Sequence, residues 1–195
     1  MSASRADQIR DQLAALADLA TVVGRDLATP VADLVELILH TLERGGKLMF
    51  CGNGGSAADA QHLAAEYVVR FERPRGPLAA LALTTDTSIL TAGGNDYGFE
   101  SVFERQVRAL GRPGDLLILH STSGESENLI RAAAGAREVG VATVALLAKG
   151  GGRLKDLVDV SLVFPTSTTA RAQELQLTVG HIVCDLVDRA MAGES

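Results

Sequence analysis

His62 and Glu66 stand four residues apart in a run that opens Lys47-Leu48-Met49-Phe50-Cys51-Gly52-Asn53-Gly54-Gly55-Ser56 and continues through Ala-rich sequence. If that run is helical, the imidazole and the carboxylate share one face, a pair suited to proton transfer or to metal binding. A second cluster, Ser121-Thr122-Ser123-Gly124-Glu125-Ser126, offers four hydroxyls in six residues just before a helical pattern. Hydroxyls together with the N–H groups of a helix start can hold a phosphate monoester without Lys or Arg. One hydroxyl is enough for a cap, so four exceed a structural need. Glu125 would repel a phosphate unless its carboxylate turns outward. Further on, Gln173 and His181 fall eight residues apart in the last helical pattern, which separates their backbones by ~12 Å. They meet one ligand only between two stretched side chains, or if they come from different copies of the chain. Each feature has a plain reading: a tight corner, a solvated His–Glu pair, a Ser-rich turn, two ordinary helix side chains. Their coincidence is what points to chemistry.

The elements that carry these residues follow from the apolar pattern. Leu48 to Cys51 suits a buried strand; Ser56 suits an N-cap, and the run behind it is strongly helical. Strand, glycine loop and helix in that order aim backbone N–H groups at the space above a sheet. Gly52-Asn53-Gly54-Gly55 matches neither the dinucleotide fingerprint nor a Walker loop. Ahead of it, Asp7 to Leu27 has apolar residues at helical spacing. Thr29-Pro30 reads as an N-cap and first helical residue, and Val31 to Leu42 as a second helix ending at Gly45-Gly46. That second helix is apolar on several sides, which suits burial within the chain or against another subunit.

Downstream, strands are expected over Leu78–Thr84, Asp115–His120, Val141–Leu147 and Val158–Phe164. Helices are expected over Ile89–Ala92 (ending at Gly93-Gly94), Phe99–Leu110, Glu127–Val139 and Ala170–Ala192, with a helical turn at Leu154–Leu157 and a turn at 95–98. Strand and helix alternate five times. That predicts an α/β fold: a three-layer, doubly wound, five-stranded parallel sheet of flavodoxin type behind an N-terminal helical extension. The whole chain, 1–195, reads as one domain, with helices over 1–45 serving oligomer packing and the α/β core over 46–195. Ligands of such sheets bind at the carboxyl ends of the strands, near a switch in strand order. The polar loops at 52–56, 84–88 and 121–126 should therefore converge on one edge.

Composition narrows the class. A chain of 195 residues with 47% apolar content can bury a full core. No apolar run is long enough for a membrane span, and the N-terminal sequence lacks a signal-peptide core. Cys51 and Cys184 sit in apolar runs outside any CxxC pair, which suits buried thiols in a reduced, cytoplasmic protein. The net charge of −6 argues against direct nucleic-acid binding and leaves an anionic small molecule to a local site.

With both loops placed, the chain resembles the phosphoheptose isomerases of the sugar isomerase (SIS) domain superfamily. The segments that carry the likeness are Cys51–His62, Gly94-Asn95-Asp96-Tyr97-Gly98-Phe99, Ser121-Thr122-Ser123-Gly124 and Gln173-Glu174 with His181. The likeness runs across nearly the whole chain. It implies aldose–ketose interconversion of sedoheptulose 7-phosphate and D-glycero-D-manno-heptose 7-phosphate through an enediol, the first step towards nucleotide-activated heptose. Ser121, Thr122, Ser123 and Ser126 would hold the phosphate. Asn53, Gly54, Gly55, Ser56, Asn95, Asp96 and Gln173 would meet the substrate, with Glu66 the base and His181 the acid. Some members bind Zn2+, here through His62, Glu66, Gln173 and His181; a Gln ligand suggests a weaker site. The family is usually a homotetramer with its sites at subunit contacts. This chain departs from the family at two places: Ala170 where an acidic residue often precedes Arg-x-Gln-Glu, and Glu125 where Asn is frequent.

Parts of the chain also resemble the DnaA initiator-associating protein, a non-enzymatic tetramer: Arg70–Arg73, Leu83–Asp86, Arg105–Leu110 and Cys184–Asp188. His181, retained beside Gln173, Glu66 and His62, separates the readings in favour of an enzyme. A sensor that binds a sugar phosphate without turnover is a third reading.

Overall fold

The computed structural model describes residues 3–193, so the two residues at each end of the expected 1–195 unit lie outside the described residues. Two helices, α1 (Arg5–Asp26) and α2 (Ala28–Glu43), precede the first strand. They are joined by Leu27 alone, whose N–H donates to the Val23 carbonyl while its own carbonyl accepts from Val31 N–H. The expected cap at Thr29 is therefore displaced. Leu27 is the N-cap and makes no side-chain bond. Pro30 falls in the first turn, where a missing N–H leaves no helical bond unmade.

The sheet is built from β1 (Leu48–Gly52), β2 (Ala80–Ala82), β3 (Leu116–His120), β4 (Ala142–Leu147) and β5 (Val160–Val163), every pairing parallel, in the order β2-β1-β3-β4-β5. The doubly wound fold is thus as expected, with the switch in strand order between β1 and β3. β1 and β3 are buried at every position, and β1, β3 and β4 feed two cores because both faces are covered. Phe50, Leu116, Ile118 and Leu146 face the layer of α2, α3 (Gly55–Val68) and α7 (Thr169–Met191). Met49, Cys51, Leu117 and Leu119 face the layer of α5 (Val102–Leu110) and α6 (Glu127–Glu138). Both cysteines are free and buried, and burial pushes the Cys184 thiol up to about 12.

Three further elements differ from the sequence reading. β2 is three residues, not seven: it is an edge strand whose ladder with β1 runs only from Leu48–Ala80 to Phe50–Ala82, with single bonds from Leu48 N–H and Leu83 N–H at its ends. The helix expected over Ile89–Ala92 is α4 (Thr87–Tyr97), which starts at an Asp86 cap, passes through Gly93-Gly94 and stops only at Gly98, where φ is +84°. A glycine ends a helix when it takes the left-handed conformation, and of these three only Gly98 does. Before α5, Phe99–Ser101 winds as a 3-10 turn. Among the described residues no helix is long and apolar enough to cross a membrane.

Candidate active site

The loops after β1 and β3 meet at the switch point and enclose a cavity of about 310 Å³. One wall is Asn53, Gly54, Gly55 and Ser56; the facing wall is Ser121, Thr122, Ser123 and Ser126; Gln173 and Thr169 close it from α7, and His120 and Leu129 complete it. The first turn of α3 is shaped by Gly54, whose φ of +57° and ψ of −122° make it the N-cap. Only glycine enters that conformation readily. Ser56, expected as the cap, instead lies in the first turn, 4% exposed, on the cavity wall. Gly55 makes room for α7: a Cβ there would stand 2.4 Å from Gln173 Nε2.

The serine loop is arranged to donate. Ser121 Oγ accepts the Gly124 N–H at 3.0 Å, and Ser123 Oγ accepts the Glu125 N–H at 3.2 Å. Each hydroxyl thus accepts within the loop and keeps its own proton to give to a ligand. Ser126 is the N-cap of α6 yet makes no capping bond through its side chain, so its hydroxyl is also available. The α6 start adds the positive end of its dipole. Glu125 is turned away, its Oε1 accepting the Arg153 N–H at 2.9 Å. Gly124, at φ +68°, lets the loop lie against the 149–152 segment, since a Cβ would meet the Gly151 carbonyl oxygen at 1.8 Å. Among the described residues no Lys or Arg lines this cavity.

A second cluster joins α3 to α7. His62 Nε2 stands 2.8 Å from His181 Nε2 and 3.3 Å from Glu66 Oε1, and the three ligand atoms lie within 4.8 Å of one another. The donor set of two imidazoles and a carboxylate converging on one point fits a divalent cation. It also fits proton exchange between a carboxylate and an imidazole. Asp59, one turn before His62, has Oδ2 buried without a partner among the described residues, and burial raises its carboxyl.

The structure brings His62, Glu66 and His181 together, none of them on the wall of the serine-lined cavity, and puts Gln173 over Gly55, on that wall. Asn95 and Asp96 are not brought to either place. They sit exposed on α4, hydrogen-bonded to each other at 2.7 Å, and Asp96 borders a separate hollow with Ile89, Tyr97 and Arg105. Ala170 borders the groove towards α1, and its neighbour Thr169 takes the cavity wall.

Two contributors escaped the sequence reading. Asn128 exchanges two amide bonds with Asn53, of 2.9 and 2.8 Å, and so ties the α6 start to the glycine loop; nothing in its neighbourhood marks it. His120, 0% exposed, ends an otherwise apolar strand at the carboxyl edge, a polar residue in a position that could have singled it out. Burial lowers its imidazole to about 4, so it is neutral near pH 7 and brings no charge to the cavity.

The sequence model of the SIS domain matches residues 12–148. Phosphoheptose isomerases are similar over most of the chain. That of Roseiflexus sp. is 52% identical over 94% of this chain and 93% of its own, and that of Akkermansia muciniphila 49% over 96% and 98%. Among solved structures, the phosphoheptose isomerase of Neisseria gonorrhoeae superposes with a TM-score of 0.90 at 44% identity, covering 95% of this chain and 99% of that one. The one from Francisella tularensis gives 0.92 at 34%, covering 96% and 100%.

Proposed function

The chain belongs to the phosphoheptose isomerases of the SIS-domain family, and from that premise we propose that it interconverts sedoheptulose 7-phosphate and D-glycero-D-manno-heptose 7-phosphate. The observation that carries the reading is the convergence of His62, Glu66 and His181 within 4.8 Å on α3 and α7, the two helices whose first turns line the cavity that bears the hydroxyls. Ser121, Thr122, Ser123 and Ser126 hold the phosphate, with Ser56 and the backbone of 53–55 opposite them. Held there, the sugar extends towards α3 and α7. Glu66 removes a proton from C1 of the ketose while His181 protonates O2, giving the 1,2-enediol. Glu66 then returns a proton to C2 as O1 gives its own to His181, leaving an aldehyde at C1. Proton count and charge balance over the two halves, and each group ends as it began. Positioned acid and base groups supply ~10²–10⁴-fold of such a rate.

His62, Glu66 and His181 would hold Zn2+, with Gln173 as a fourth ligand if its amide swings from Gly55. When bound, the ion supplies polarisation of the carbonyl. We assign a homotetramer as the working form: Asn95 and Asp96 lie away from the cavity in their own chain, and a neighbouring copy is what would bring them to a sugar. Two free buried thiols suit a cytoplasmic enzyme.

The test is to incubate purified protein with sedoheptulose 7-phosphate, with and without Zn2+, and to follow aldose formation. Turnover is expected, and Glu66→Gln should lower kcat by at least ~10²-fold with sugar-phosphate binding retained. Absence of turnover in both conditions, with tight DnaA binding, would assign the chain to the regulators instead. Wild-type turnover by Glu66→Gln would remove Glu66 as the base.

A further inference from the structure

His181 is held from two sides. Its ring edge meets His62, the planes inclined at 58°, and its face lies against Phe71, centroids 5.3 Å apart and planes at 22°. Phe71 belongs to the irregular segment between α3 and β2, which has no regular structure of its own to place a ring. What places it is Asp188, on the same helix as His181. Asp188 Oδ2 accepts the Phe71 N–H at 3.1 Å and the Arg73 N–H at 3.4 Å. Its Oδ1 accepts from Arg75 Nε at 2.5 Å, with side-chain exposures of 4% for Arg75 and 1% for Asp188.

The guanidinium then reaches back to α3. Arg75 Nη2 donates to the Glu66 carbonyl at 2.7 Å and Nη1 to the Tyr67 carbonyl at 2.8 Å. Those carbonyls belong to the last turn of α3, whose oxygens have no partner within the helix, and a cation there also complements the dipole. The contacts form a closed circuit: Glu66 main chain, Arg75, Asp188, Phe71, His181, His62, and back along α3. Both groups assigned to proton transfer lie on it.

We infer that Phe71 is a positioning residue for His181, and that the buried Arg75–Asp188 pair is the clamp that sets His181 against Glu66. A ring stacked on one face of an imidazole limits its rotation and keeps Nε2 directed at His62 and Glu66. The clamp fixes the backbone from which Glu66 projects and the loop from which Phe71 projects, using one ion pair for both. A hydrophobic cover over α7 would need only bulk at position 71. A positioning ring needs a plane, and the two roles separate by substitution.

The inference rests on the isomerase reading for its kinetic readout alone. Phe71→Leu keeps most of the volume and loses the plane; Phe71→Tyr keeps both. In the full chain, Phe71→Leu should lower kcat about tenfold with KM within about twofold, because the serine loop is untouched, and Phe71→Tyr should restore kcat to within about threefold. The His181 imidazole 15N resonances should move in Phe71→Leu, return in Phe71→Tyr, and move in Asp188→Asn, which keeps the shape of Asp188 but removes its charge. Zn2+ affinity, measured by calorimetry on metal-free protein, should fall in Phe71→Leu. Wild-type kcat in Phe71→Leu, or His181 resonances that ignore it, would overturn the assignment. Resonances that ignore Asp188→Asn would overturn the clamp. If the wild type turned over no heptose phosphate, the isomerase reading would fall, and the resonances and Zn2+ affinity would still decide the role of Phe71.

Discussion

His120 shows what a single side chain carries when it is taken out of water. Both ring nitrogens are buried with no hydrogen-bond partner among the described residues, and Phe50 lies 6.3 Å away, centroid to centroid. Burial drives the imidazole from 6.5 to about 4. Between those values the unfolded chain binds a proton that the folded chain refuses. The stability this residue allows is therefore complete above pH ~6.5 and is lost as the pH falls towards 4, by roughly 3 kcal/mol. The expected outcome is a melting temperature that declines from pH 7 to pH 4.5 more steeply in the wild type than in His120→Leu. The carboxylates contribute to both curves, so the difference between the two is the measurement. Parallel curves would mean that His120 is solvated in the native protein.

Helices and strands were legible where a run of one character was long enough to force the answer. Leu116 to Leu119 has no alternation and is too short a run for a helix, which leaves a strand covered on both faces to bury it. Sustained period places the last helix over Ala170–Ala192, and it spans Thr169–Met191. The serine loop carries more hydroxyls than a cap uses, and in the structure these line the cavity at the switch point. Boundaries set by backbone conformation were not legible. Ser56 has the composition of a cap, yet the chain needs φ +57° two residues earlier and Gly54 supplies it. The Gly93-Gly94 pair has the composition of a stop, yet both residues keep helical geometry inside α4. Contacts between distant segments were legible least: Asn53 with Asn128, and Phe71 with His181, are made by the fold and leave no local pattern.

The glycine pair yields a prediction at this level. A Cβ on Gly94 would meet nothing within 4 Å, whereas one on Gly93 would touch Val102 Cγ1 at an ordinary 3.7 Å. Gly94→Ala should therefore stabilise α4 by ~0.5–1 kcal/mol, through the lower backbone entropy of the unfolded chain. In a scanning calorimeter the midpoint should rise by about 1–4 °C. An unchanged or lower midpoint would show that another surface packs on that face of α4, next to Asn95 and Asp96.

For the molecule as a whole, the question is what α1 is for. The helix is mostly exposed, and Val23 is its one buried residue. Ile9 and Leu13, one turn apart on a shared face, are 61% and 62% exposed. Between that face and the start of α7 runs an open groove bordered by Ile9, Leu13, Leu16, Arg171 and Glu174, and Arg171 donates to the Gln12 carbonyl at 3.1 Å. A large apolar pair left in water at the end of a helix that braces the Gln173 helix is poorly explained by one chain alone. Under the proposed homotetramer, α1 covers that face with a second copy and fixes the start of α7, while α4 delivers Asn95 and Asp96 to a neighbour's sugar. A chain carrying Ile9→Asp and Leu13→Asp should then keep its far-ultraviolet circular dichroism, lose mass by light scattering to a dimer or monomer, and lose isomerase turnover by more than about tenfold. Placing charge in an interface core costs several kcal/mol per site, enough to break the assembly while the monomer core, to which Ile9 and Leu13 contribute nothing buried, stays intact. An unchanged mass would remove α1 from the subunit contact. A dissociated chain with full turnover would show that one copy completes the site by itself.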